Sequence, residues 1–501
     1  MRRQDDGAAP RTGTFTLRPE ENFFGQLTLK GAQSSLYLRD DSYVPAHDIT
    51  DQYIKGILHD FTRVSLLHCF IRSGPGTFSR GNECYSFAEI FPHFVVSGDQ
   101  HIGPTDKAIM SVEFVIDDAM TLFYDFNAFG HLLGDAQRFI EPIVHAQAEE
   151  LGREIPIGPE PEIFYFTGKR QIFCARTALG TISASHRPTY PLLTGPRGLH
   201  LYNTIFVTIN MEEPIVFNEA IRRVSIVRDY LGLLVGRQQN IEVLKLNVRN
   251  ESESSSVLDV YWSIAPKRDV SKDDDLGPQS HDVLLNAILD PEIFSRVTQC
   301  WMERDRTWHD ARDRFFSCFA NQGHYDIDRL IGAANMFDIL PSSAIPEDHS
   351  VPPEIEDAKK AAKEIFAKLP DSAERHSILS ELGRIGKRKL KHKIRHRARK
   401  ITDSEPNRFP DLTLVTDEAV NCRNHYVHGG DAKIDYGANF FETFAFFTDT
   451  LEFVFAASDL MEAGWNMKAW AAKGSSLSHP FSRYCYGYKQ SLQRLKALLS
   501  N

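Results

Sequence analysis

Arg423, Asn424 and His428 are the residues of this chain whose types and spacing best suit chemistry. They sit in the run Asn-Cys-Arg-Asn-His-Tyr-Val-His-Gly-Gly, residues 421–430. A histidine takes or gives a proton near neutral pH. A guanidinium neutralises charge on a phosphate as it develops. Asn424, next to the arginine, is placed to hold it or a phosphate oxygen. Together they suit cleavage of RNA, in which the 2′-hydroxyl attacks its own neighbouring phosphate and no bound metal or cofactor is required. Arg63/His68, Arg138/His145 and Arg304/His309 have similar spacing but lack the Asn and the glycine exit, and are read as chance.

These residues need a helix to carry them. The sequence predicts one over 416–428, with Thr416 as N-cap, Asp417 and Glu418 in the first turn, and Gly429 and Gly430 as a left-handed exit. At about 100° per residue, Val420 and Val427 fall on one line, with Arg423 roughly 60° to one side and His428 roughly 80° to the other. Such a bordered apolar line calls for a partner, and a second copy of the same helix would bring two Arg/His sets together. The stripe Phe440, Phe444, Phe447, Leu451, Val454 and Phe455 predicts a helix over 439–460 that packs on it. Asp326 and Asp328, at the start of another predicted helix, are candidates to orient Arg423 or His428, or simply a cap and an exposed group. Tyr426 is a candidate to stack on a base or to pack in the core. His425 points to another face, and Cys422 is read as a small core residue.

Residues 384–400 hold ten Lys or Arg and no acid. Removing those charges from a net of −10 leaves −20 on the rest, so any nucleic-acid contact must be local. On one helical face this block aligns Arg384, Lys387, Arg388, Lys391 and Arg395, a candidate track for an RNA backbone. A solvated helix or tether is the plainer reading.

At 501 residues, 42% hydrophobic and 25% charged, the composition fits a multidomain globular protein. Seven scattered cysteines without CxxC argue against a zinc ribbon and fit reduced thiols in a cytosol. Residues 1–13 form a polar start without a signal-like core, and no apolar run is long enough for a membrane span. Residues 14–265 read as a β-rich, sandwich-like domain interrupted by a helix over 218–235, with a serine-tipped hairpin over 241–264. No catalytic constellation emerges there, and a recognition or regulatory role is expected. Asp117, Asp118, His186 and His200 look dispersed, and Ser73–Gly76 reads as a turn rather than a phosphate loop. Residues 266–282 are a charged linker, and 283–501 an all-α bundle, with helices expected over 292–303, 304–319, 326–338, 353–368, 373–385 and about 482–499. The fold class is thus α+β in two parts.

The run Arg423-Asn424-x-x-x-His428 resembles the signature of HEPN-domain ribonucleases. The C-terminal part is similar to the HEPN domain of ApeA-type anti-phage proteins, and residues from about Gly13 to Pro266 resemble the domain that precedes HEPN in that family. The resemblance implies a metal-independent endoribonuclease that dimerises through its helical domain. It also implies a cytoplasmic role in phage defence by abortive infection, with host RNA, transfer RNA among the candidates, as target and a phage-derived trigger. Two other readings stay open: a HEPN module that only binds nucleic acid, and a phage-sensing scaffold whose bundle merely dimerises.

Overall fold

The computed structural model describes every residue except 1–8, 19, 42, 46–51, 81–82, 133, 191–199, 250–253, 269–276, 346–351, 387–388, 430–431 and 501. The chain forms two compact units, one from the first 270 residues with Gly277–Gln299, the other from Cys300 onward. Part of the expected linker, residues 269–276, and residues 250–253 of the expected hairpin tip lie outside the described residues.

In the first unit, β1 (Arg11–Arg18), β2 (Glu21–Thr28), β3 (Ser35–Asp40), β4 (Ile54–Leu58), β5 (Arg63–Arg80) and β6 (Glu83–Gly98) form a closed antiparallel ring. The ring runs β1-β2-β3-β6-β5-β4 and returns to β1. Period-two alternation turns Phe15, Leu17, Phe23, Leu27, Leu36, Leu38, Ile54 and Val64 inward, where they fill the barrel. Gly25 and Gly56 admit Phe15: a Cβ on Gly56 would stand 2.5 Å from its ring.

Closure depends on the length of β6. Its early residues pair with β3 through Ser86–Ile90, and its later residues, still paired to β5 on one side, run beyond β3 on the other. There Phe94–Ser97 pairs with β14 (Ser255–Trp262) and opens a second sheet. That sheet continues through β13 (Ile241–Arg249), β7 (Ile109–Ile116), β12 (Tyr202–Ile215), β11 (Gly180–Thr189) and β10 (Gln171–Thr177). A small ribbon of β8 (Phe129–His131) and β9 (Phe164–Phe166) stands apart from it. The unit also holds α1 (Ala119–Leu122), α2 (Gln137–Leu151) and α3 (Phe217–Val235), whose buried Val224, Val227, Leu231 and Leu234 follow the expected helical spacing. The β-rich half is as the sequence predicts, and its finer form is a barrel extended by a sheet.

Ser73–Gly76 is not a turn. It is an irregularity within β5, where the ladder to β6 shifts between Ser73 and Gly76 and Gly74 takes a φ of 84° that suits glycine. Asp117 and Asp118 have a structural use. Asp118 accepts from Arg237 at 2.7 Å and Gln239 at 2.8 Å, and Asp117 lies 2.9 Å from Arg268, so the pair ties the end of β7 to the exit of α3.

The second unit is helical. α4 (Pro291–Glu303) carries the division between the units within its length. It is followed by α5 (Asp305–Phe319), α6 (Ile327–Asn335), α7 (Pro353–Ala367), α8 (Ala373–Arg384), α9 (Leu390–Ser404), α10 (Leu412–His428), α11 (Phe440–Glu462), α12 (Met467–Ala471) and α13 (Pro480–Ser500). α11 is the central helix, buried along Phe444, Phe447, Leu451, Val454 and Phe455, and α5, α6, α9, α10 and α13 pack on it. Two buried ion-pair groups fasten this packing. Asp459 on α11 holds Arg312 through bonds of 2.9 and 3.1 Å and also accepts from Arg304. Glu452, about two turns earlier, holds Arg329 of α6 through two bonds of 2.9 Å. Breaking such a pair from one side typically costs about 3–5 kcal/mol, because the other charge is left buried alone.

Candidate active site

Helix α10 begins a turn earlier than the sequence predicts. Leu412, Val415 and Ala419 are buried, and their burial extends the helix upstream to an Asp411 cap at a φ of 54°. Thr416 is therefore no cap: it is buried and its hydroxyl donates to the Thr413 carbonyl at 3.0 Å. Asp417 and Glu418 fall in mid-helix, where Asp417 pairs with Arg395 and Glu418 is buried. The exit is as expected: Gly429 adopts a φ of 70° and its N–H donates to the His425 carbonyl at 2.9 Å. Gly430 lies outside the described residues.

Arg423 and His428 come together on this helix. Arg423 Nη1 lies 3.3 Å from His428 Nε2 and donates to Asn424 Oδ1 at 3.0 Å. The 140° that separates the two positions on a helical wheel is spanned by the length of the arginine side chain. Nη2 donates to Asn335 Oδ1 at 3.0 Å, from the last residue of α6. A guanidinium only donates, so a neutral His428 turns the Nε2 lone pair toward it. His428 is exposed and Arg423 half-buried, so both are open to a ligand. Val420 is buried, while Val427, the outer end of the apolar line, is 41% exposed.

The surrounding candidates divide. Asp326 caps its own helix, accepting the Arg329 N–H at 2.7 Å, and also lies 3.1 Å from His324. Asp328 is exposed in the first turn of α6. The group from α6 that reaches Arg423 is Asn335 at the opposite end, 88 residues away in sequence, and no local pattern announces it. Tyr426 is half-buried and packs edge-on to Phe444 at 5.5 Å, with Tyr436 beyond at 6.4 Å. Burial, first of all, raises its hydroxyl pKa above the usual value. Cys422 is fully buried and its thiol is pushed up to about 12 by burial, which makes it a packing residue.

The basic block does not form one face. Arg384 ends α8 and pairs with Glu381 at 2.6 Å. The chain then breaks at an extended Ile385 and at Gly386, whose φ is 86°. Lys387 and Arg388 lie outside the described residues. Lys391 and Arg395 belong to α9 and turn onto the candidate helix itself: Lys391 donates to Asn421 at 2.5 Å, and Arg395 forks onto Asp417. Arg397 is buried, bonded to Glu462 and Ser458. Of these cations, Arg395 and Arg397 thus meet acids from other helices, Asp417 and Glu462, and Arg397 does so in the interior.

Among the described residues, no three His, Cys, Asp or Glu side chains gather as metal ligands would, and no described helix is long and apolar enough to cross a membrane. Residues 10–301 match the family described as ApeA N-terminal domain 1, and residues 331–469 match the family described as Apea-like HEPN. No curated protein and no solved structure matches the chain. The second match spans α6 to α12 and so contains Asn335, Arg423, Asn424 and His428. The β-rich unit, the helical unit and these two matches in sequence order make the chain a member of the ApeA-type HEPN proteins.

Proposed function

We propose that this protein is a metal-independent endoribonuclease that acts in anti-phage defence, in the cytoplasm, by cutting host RNA. The observation that carries the reading is the convergence of an exposed His428 and a guanidinium held by amide oxygens at the end of one helix. His428 serves as acid/base, Arg423 clamps the scissile phosphate, and Asn424 positions the clamp. The 2′-oxygen bonds to phosphorus as its proton passes to the base, and the bond to the 5′-oxygen breaks as that oxygen takes up a proton. The products are a 2′,3′-cyclic phosphate and a 5′-hydroxyl end. A dimer through the helical unit would set two Arg423/His428 pairs in one cleft. Transfer RNA is the first substrate to try, since abortive infection requires an RNA whose loss halts the host.

The test is cleavage of end-labelled total transfer RNA by the full chain in the presence of a chelator. Arg423→Ala and His428→Ala should each abolish cleavage, and the native chain should leave cyclic phosphate ends and sediment as a dimer. Chelator-sensitive cleavage, or cleavage that survives both substitutions, overturns the reading. RNA binding without any cleavage leaves the binding-module alternative in its place.

A further inference from the structure

We propose that Asn335 is a positioning residue of the active site: it holds the Arg423 guanidinium in place by a neutral hydrogen bond and so leaves its charge available to the RNA phosphate. This rests on the ribonuclease reading above and goes beyond it. Five other arginines of the same unit are held by acids of another helix. Arg304, Arg312, Arg329, Arg395 and Arg397 are each paired to a carboxylate, at Asp459, Asp459, Glu452, Asp417 and Glu462 respectively. Their charge is neutralised, which suits a fastening. Arg408 donates instead to a backbone carbonyl, that of Ala471, at 2.7 Å. Arg423 differs from the five in having side-chain amides as its two oxygen partners, Asn335 and Asn424, both at 3.0 Å, one on each terminal nitrogen. An amide oxygen fixes direction as a carboxylate does, yet carries no charge to cancel the guanidinium.

The two amides do different work. Asn424 neighbours Arg423 on α10 and moves with it. Asn335 belongs to α6 and ties the guanidinium to a second helix. That helix is itself fixed, because Arg329 on it is clamped by Glu452 of α11. Asn335 thus refers the position of Arg423 to the core of the bundle rather than to the free end of its own helix. It is half-buried, so substitution there is compatible with folding.

The experiment compares Asn335→Ala and Asn335→Asp with the native full chain, on end-labelled total transfer RNA, with melting temperatures measured alongside. Asn335→Ala removes the hold and should lower cleavage about 10- to 100-fold. Asn335→Asp is the discriminating variant. It makes a stronger bond to Arg423 and should melt no lower than the native chain, yet should lose at least as much activity because the clamp is now neutralised. A merely structural role predicts the opposite, with Asp equal to or better than Asn. A second readout needs no turnover: in a His428→Ala background, Asn335→Asp should flatten the salt dependence of RNA binding by about one phosphate contact. Native-like cleavage and salt slope in Asn335→Asp, with Arg423→Ala inactive, overturn the proposal alone. If Arg423→Ala itself cuts and binds normally, the ribonuclease reading fails first.

Discussion

At the scale of single residues, the difference between a charge and an oriented charge decides what Arg423 can do. A lysine there would keep the charge, but as a point on a flexible stem. It could not donate from two separate terminal nitrogens to Asn335 and Asn424 as the guanidinium does. Arg423→Lys should therefore retain RNA binding while the cleavage rate falls by about tenfold or more, with KM changed little. Single-turnover kinetics at saturating enzyme check this, and an unchanged rate would mean that charge alone suffices. Arg423, Asn424 and His428 were legible because they lie within six residues on one helix, where spacing maps directly to geometry. Asn335 was not legible, because its role depends on which end of α6 faces α10. Of the two readings open for Asp326, the cap is the one the structure bears out.

At the scale of elements, α11 concentrates the acids that its partners' arginines need, and this leaves one carboxyl strained by its surroundings. Asp449 lines a small cavity with Phe319, Tyr325, Glu452, Phe481 and Tyr484. Burial first, and the Glu452 charge next, push its carboxyl up to about 7 from an ordinary 3.8, while Arg329 and the Tyr325 hydroxyl pull the other way. The folded chain therefore keeps a proton that the unfolded chain releases. The corresponding stability is present in full below the ordinary value and is lost as the pH rises through about 7. The side chain keeps 35% of its surface exposed, so the effect is modest. Asp449→Asn cannot titrate, and its melting temperature relative to the native chain should rise as pH goes from about 4 to about 8. A difference that stays constant over that range excludes Asp449 as the titrating group. Elements with strong periodicity, such as α3, α5 and α11, were legible from sequence to within a few residues. β6 was not, since Pro92 within it and the polar run before it obscure the alternation. Nor was the start of α10, where burial overrode the cap-like Thr416.

At the scale of the whole molecule, the order of a β-rich part followed by a helical part was legible, but where the first part ends is set by packing that composition does not reveal. A charged stretch at 266–282 invites a boundary there, yet Gly277–Gln299 belongs with the first unit. Leu284 N–H donates to the Leu234 carbonyl at the end of α3 at 3.0 Å. Phe294 packs on Phe173 at 4.7 Å and Phe123 at 6.1 Å, and Thr298 bonds the buried Tyr230 hydroxyl at 3.1 Å. Phe294 and Val297 are fully buried, as are Phe123 and Tyr230. A chain ending at 265 would leave those rings facing water, at roughly 1.5–3 kcal/mol for each large side chain uncovered. A chain of residues 1–301 keeps them covered. It should melt cooperatively and well above residues 1–265, which should bind a hydrophobic dye or aggregate. Equal melting temperatures for the two would mean that the start of α4 contributes nothing to the first unit, and that the charged stretch is the true end of that fold.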